Sequence, residues 1–335
     1  MLAGLLLAVA LPASAKAADF NLTVSPLPIS LVVKPGATIT TPLRVQNTGT
    51  NTVTIHVGLK KFGAADKSGK PAIIDLGKHD EFGQWVRFSQ TTITAEPNVW
   101  KTLNMTISPP KDAAFGYYYA VVYSVDNGQT LSAQNVHSSI HGAVATLVLL
   151  DVQAPGEKRA LKATQFTSQH GVYEYLPATF TVTVRNSGNV HGAPSGDIFI
   201  SKNGKQTLAT LPVNEAGGNV LPGTSRQFSA TWNDGFPVFQ PSRIGGQDEI
   251  NKSGNQVLHL NWNGLNFSKF RFGHYHAHLT LSYNDGSRDV PIDGELSFWV
   301  LPWKLMLLGL FIIAAIIAGL YFLYKGAPRR RHHRR

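Results

Sequence analysis

This sequence predicts an all-β fold of two tandem domains followed by one long apolar helix, and three observations carry that prediction. From Phe20 to Val300, short alternating runs rich in Val, Ile, Thr, Tyr and Phe are separated by turn pairs, with few helical periodicities. The pattern occurs twice. VQNTGTN at Val45–Asn51, EPNVWKTLNMTI and FGYYYAVVYSVDNG in the first half match VRNSGNV at Val184–Val190, LPGTSRQFSATW and FGHYHAHLTLSYNDG in the second. Finally, residues 305–324, LMLLGLFIIAAIIAGLYFLY, carry no charge. Each half, with its many short strands, reads as an immunoglobulin-like β-sandwich.

In chain order, Leu2–Leu11 is an apolar run followed by Pro12 and Ala13-Ser14-Ala15, the pattern of a signal peptide over residues 1–18, with cleavage expected after Ala15 or Ala17. Domain one is expected over 19–153, with strands at 29–33, 38–46, 52–60, 84–88, 99–107, 115–125 and 138–152 and a polar loop from Lys61 to Gln84. Asn127-Gly128, Asn203-Gly204 and Asp285-Gly286 sit between apolar runs, where such pairs supply the positive φ of tight hairpins. In the repeated Asn-Thr/Ser-Gly element, Asn47 and Asn186 are expected to bond local backbone, with Gly49 and Gly188 at positive φ. Phe115, Gly116, Tyr118 and Ala120 align with Phe272, Gly273, Tyr275 and Ala277. That alignment places a buried tyrosine early in each penultimate strand, its hydroxyl bonded to backbone.

The short seam Gln153–Glu157 leads to domain two, expected over 158–301. This copy has a long excursion, Asn233 to Arg271, in which Leu258, Leu260 and Trp262 alternate like an extra edge strand. Its last strand, ELSFWVLPW, runs without a linker into the apolar segment, which places domain two against lipid. At 1.5 Å per residue, twenty residues span about 30 Å, the thickness of bilayer hydrocarbon, so residues 303–324 read as a transmembrane helix. Trp299 and Trp303 precede it and Tyr321, Phe322 and Tyr324 close it, as interfacial aromatic belts do. Lys325 and five arginines make residues 325–335 a basic tail, expected on the cytoplasmic side of a single-pass membrane protein whose domains lie outside.

The net charge of +10 invites a nucleic-acid reading, but the tail holds six of the 30 Lys and Arg and none of the 20 Asp and Glu, which leaves +4 for the rest. No nucleic-acid role is expected. An exported chain of 335 residues without a cysteine relies on its cores rather than disulfides, which favours a bacterial surface protein. No nucleophile elbow, phosphate loop, zincin motif or cysteine site is present and the carboxylates are scattered, so neither enzymatic activity nor a cofactor is expected. His274, His276 and His278 share one strand face, as a β metal site requires. No carboxylate lies near them in sequence, and a solvated face opposite Tyr275, Ala277, Leu279, Leu281 and Tyr283 accounts for them. Phe236, Phe239 and Trp262 in the excursion are the candidate partner-binding residues, serving a surface protein or, by ring stacking, a glycan.

The opening FNLTVSPLPISLVVKPGATITTPLRVQNTG, the strand FGYYYAVVYSV and the terminal FWVLPWK resemble the WxL-interacting surface proteins of Gram-positive bacteria, and the resemblance covers nearly the whole chain. It implies a wall-embedded scaffold or adhesion protein whose first domain binds peptidoglycan and whose second binds WxL proteins or host ligands. The alternative is a carbohydrate- or metal-binding receptor that uses domain two.

Overall fold

The computed structural model describes residues 21–125, 143–204 and 206–326. The expected signal peptide, the Asn127-Gly128 turn, the start of the 138–152 strand and the arginines of the tail lie outside the described residues. The chain divides into two compact units. One comprises residues up to Gly63 and Pro71–Glu157; the other comprises Ala64–Lys70 and the residues from Lys158 onward.

Each unit is a β-sandwich. In the first, one sheet runs Leu22–Ser25, Ile39–Asn47, Trp100–Ile107, Val86–Phe88. The other runs Ile29–Val33, Ala143–Val152, Phe115–Val125, Val53–Ala64, Pro71–Ile74, with Thr92–Ala95 also paired to Val53–Ala64. In the second unit the sheets are Leu161–Ser168, Ala178–Asn186, Ser225–Trp232 and Val172–Tyr173, Asp289–Val300, Gly273–Asn284, Ser195–Lys202, Gln206–Val213. Both copies change sheets near their start. Leu22–Ser25 is antiparallel to Ile39–Asn47, whereas Ile29–Val33 is parallel to Ala143–Val152. Likewise Leu161–Ser168 is antiparallel to Ala178–Asn186, and Val172–Tyr173 is parallel to Asp289–Val300.

The seven strands expected in the first half are present, with Val53–Ala64 extending past 60 and Val86–Phe88 preceded by the 3-10 turn Glu81–Trp85. Leu22–Ser25, Pro71–Ile74 and Thr92–Ala95 have four residues each, too few for alternation to stand out. Residues 61–84 are therefore not a single loop: they begin with the end of one strand and include another, Pro71–Ile74.

The Asn elements are the best-matched part of the repeat. Asn47 Nδ2 donates to the carbonyls of Asn51 (2.7 Å) and Ala95 (3.0 Å), while its Oδ1 accepts from Gly49 N (2.9 Å). Asn186 does the same with Val190 (2.8 Å), Val220 (2.9 Å) and Gly188 N (2.8 Å). Both side chains are buried, so three bonds apiece offset the cost of removing an amide from water. The glycines follow a different rule from the one expected. Neither Gly49 nor Gly188 has positive φ. A Cβ on Gly188 would run into the carbonyl oxygen of Lys158 and the backbone of Ala160, so close approach is what requires glycine there.

The tyrosine alignment is off by one residue. Tyr275 is buried, with its hydroxyl accepting from Phe272 N at 3.1 Å; in the first unit the hydroxyl that accepts from the residue three back is that of Tyr117, from Ala114 N at 3.4 Å. Positive φ falls on Phe115 (73°) and Gly273 (118°), which gives the same register. Tyr117, Tyr119, Val121 and Tyr123 thus face the first core as Tyr275, Ala277, Leu279 and Leu281 face the second. A one-residue slip reverses every side chain in a strand, and three consecutive tyrosines conceal it.

Helix Trp303–Gly326 is apolar and free of charge between Lys304 and Lys325, and none of that span is buried in the structure. A core helix would be covered by protein. An apolar helix exposed all round and this long fits a single-pass membrane anchor.

Candidate functional site

The first unit carries an open cleft at the end of its sandwich where Phe115–Val125 begins. Val53–Ala64 contributes Lys61 and Phe62, Phe115–Val125 contributes Gly116, Tyr117 and Tyr118, and the segment between contributes Asp80 and Phe82. Lys61 lies opposite Tyr119 in the ladder, which brings these two strands together at the cleft. The cleft's volume is about 250 Å³. That is below the roughly 300–1,000 Å³ of pockets that enclose whole small molecules, and it suits one unit of a longer chain.

Aromatic side chains build its wall. Phe82 packs on Tyr117 (5.6 Å between centroids) and Tyr119 (5.3 Å), Trp85 lies edge-on to Tyr117 at 4.8 Å, and Phe62 meets Tyr118 at 5.8 Å. The Tyr119 hydroxyl donates to the Phe82 carbonyl at 3.1 Å, fixing the 3-10 turn on the strand; burial pushes that phenol's pKa up. Beside the rings, Asp80 Oδ2 accepts from Lys61 Nζ and from Gly77 N, each at 2.6 Å. The Lys61 bond, followed by the Gly77 amide, holds the Asp80 carboxyl below the usual carboxylate range. The exposed edges of half-buried rings, next to a fixed cation and anion, can contact the apolar face of a sugar while the charged groups bond its hydroxyls. Sequence reasoning missed this site, although Phe82 and Trp85 in an otherwise polar stretch were a visible signal.

The expected partner-binding residues lie in the second unit. Within the excursion, the strand expected from the alternation of Leu258 and Leu260 is present, but Leu258–Asn261 pairs antiparallel with Val238–Pro241 in a two-stranded sheet of its own rather than at the edge of a sandwich sheet, and Gly264–Lys269 forms a 3-10 helix. Phe236 is buried, Phe239 half-buried and Trp262 54% exposed, so Trp262 alone among the three offers a broad surface. Trp262 stands edge-on to Phe236 (5.8 Å) and Tyr175 (6.2 Å), and Tyr175 also meets Phe239 at 6.1 Å. Both ends of the excursion are clamped by Asp234, which accepts from Lys269 at 2.7 Å and Arg271 at 2.8 Å. The Lys269 bond is the main reason its carboxyl stays below the usual range.

His274, His276 and His278 do share the outer face of Gly273–Asn284. His276 Nδ1 lies 3.3 Å from Glu295 Oε1 on the next strand, a carboxylate that linear sequence does not place nearby. His274 packs on Trp299 at 4.7 Å. Among the described residues no group of three or more His, Cys, Asp or Glu side chains converges on a point where a metal could sit.

No protein-family model and no curated protein matches the chain. Similar solved structures include the class 5 fimbrial chaperone CfaA (16% identity, 72% of this chain and 98% of that one, TM-score 0.35). The E. coli chaperone DraB (10%, 83% and 99%, 0.32) and the Pseudomonas aeruginosa chaperone CupB2 (12%, 71% and 98%, 0.31) are others. The likeness is one of β-sandwich fold.

Proposed function

We propose that this chain is a membrane-anchored cell-envelope protein of the WxL-interacting type, whose β-sandwich units stand outside the membrane and hold wall polymer through the cleft of the first unit. The observation that supports this most is an open cleft lined by two ring pairs, Phe82–Tyr117 and Phe62–Tyr118, with the Lys61–Asp80 pair, on a chain that carries an apolar helix. An open cleft of this size grips a repeating polymer one unit at a time, and anchorage keeps the polymer close to the membrane. The lining includes one carboxylate, Asp80, where glycoside hydrolysis commonly uses two. In this reading the cleft binds a glycan rather than cleaving it.

Full-length protein in detergent micelles should co-sediment with purified sacculi stripped of protein, and the Tyr118→Ala plus Lys61→Ala variant should be retained far less. Retention only on sacculi that keep their surface proteins would assign the cleft a protein partner instead. Protease added to intact cells should digest both units and spare a C-terminal tag; loss of the tag with membranes intact would reverse the orientation.

A further inference from the structure

We infer that the excursion between Asn233 and Arg271 is a second membrane contact, whose apolar 3-10 helix rests in the headgroup layer of the bilayer that Trp303–Gly326 crosses. In the final hairpin Val300 lies opposite Gly273, and only Leu301 and Pro302 separate Val300 from the helix. The three Cα steps from Val300 to Trp303 span at most about 11 Å, and the headgroup region adds roughly 5–8 Å on each side of the hydrocarbon. The end of the sandwich that holds Gly273 is therefore at the headgroups, whichever side of the membrane it occupies. It is also tied there: Leu301 N donates to Tyr173 O at 2.7 Å, and Lys304 pairs with Glu174 at 2.8 Å.

The excursion belongs to that same end. It leaves Trp232 and returns at Phe272, immediately before Gly273. Phe239 N donates to Leu176 O at 2.8 Å, three residues beyond the Tyr173 that pairs with Val300, and Phe236 bridges Phe270. Packing leaves its apolar side chains facing outward. Leu265 is 92% exposed, Phe267 70%, Trp262 54% and Phe270 40%, and the 3-10 helix buries no residue. Phe267 and Phe270 stack at 6.3 Å, which makes the exposed surface continuous. Trp299 and Trp303, both about half exposed, stand at the same end of the sandwich, on the strand and helix that lead into the membrane. Such a patch is costly in water, and Trp and aromatic rings are favoured where hydrocarbon meets headgroup. Lipid is the occupant the geometry points to, because the patch belongs to the end of the sandwich from which the anchor leaves. This inference needs the membrane helix but not the glycan reading of the cleft, and it assigns Trp262 to lipid rather than to a partner.

The chain contains no cysteine, so Leu265→Cys introduces a single thiol at a side chain that packs on nothing named above. Ser287→Cys, in the turn between Asn284 and Asp289, is the control; eleven residue steps along the strand place it about 36 Å away. Full-length protein labelled with an environment-sensitive fluorophore is reconstituted in phosphatidylethanolamine–phosphatidylglycerol vesicles, with and without a headgroup-nitroxide lipid. The label at 265 should be quenched by the nitroxide lipid at least twofold more than the label at 287, and should be shielded from aqueous iodide. Nitroxide quenching at 265 no greater than at 287 would overturn the inference, whether iodide reaches the label or a protein surface shields it.

Discussion

The two sandwiches share one frame, and the same end of each has been put to a different use. In both, the strand that opens with the backbone-bonded tyrosine, Tyr117 or Tyr275, pairs with the strand that leaves the domain. In the first unit that end receives a segment inserted after Val53–Ala64, which folds back as Asp80 and the Glu81–Trp85 turn to make a half-buried cleft with a fixed charge pair. In the second it receives a segment inserted after Ser225–Trp232, which packs Phe236 inward and leaves Leu265 and Phe267 outward. The repeated core fixes where an insert can sit, and the insert's own sequence decides what it contacts.

That comparison can be broken in several places. Asn186→Ala strips two buried carbonyls and one amide of their partner and should cost its unit about 3 kcal/mol in thermal or denaturant unfolding, and Asn47→Ala, one of whose two carbonyls is only part-buried, about 2 kcal/mol. A large loss in one unit but not the other would show that the copies are not built alike. Gly188→Ala and Gly49→Ala should separate them. The first forces a methyl into the Lys158 carbonyl and should cost about 2 kcal/mol, whereas the second meets only the side-chain oxygen of Asn47 at 3.1 Å and should cost well under half as much. Trp262→Ala removes two edge-on ring contacts from a half-exposed site and should lower the second unit's stability by only about 1 kcal/mol.

The smallest effect is on acid. Asp80 and Asp234 both have folded pKa values below the ordinary carboxylate value. Their pairs therefore add stability that is fully present above that value and is lost as pH falls through the lower folded one. Protection against hydrogen exchange, relative to the intrinsic rate at each pH, should fall in residues 77–85 and 233–271 as pH drops below the ordinary carboxylate value of about 4, ahead of global unfolding; unchanged local protection would show that neither pair holds its insert.

Most of the frame was legible because alternation reports burial directly: Ile29–Val33, Trp100–Ile107 and Phe115–Val125 appear almost where the pattern puts them. The Asn bonds were legible because the motif occurs twice. The register of the tyrosine strand was not, since Tyr117, Tyr118 and Tyr119 look alike in sequence and only the core selects a face. The cleft was out of reach for another reason. Lys61, Asp80 and Tyr117 are brought together by strand pairing and by a 3-10 turn with no periodicity to reveal it. Glu295 beside His276 is the same kind of cross-strand fact.

The division of labour between the two ends is tested most directly by measuring sacculus binding for two variants of the full-length protein side by side. Tyr118→Ala in the cleft should weaken co-sedimentation at least fivefold with both units still folded, while Leu265→Ser in the excursion should leave it unchanged. The reverse result, binding intact with Tyr118→Ala and lost with Leu265→Ser, would contradict the account and move the polymer site to the second unit.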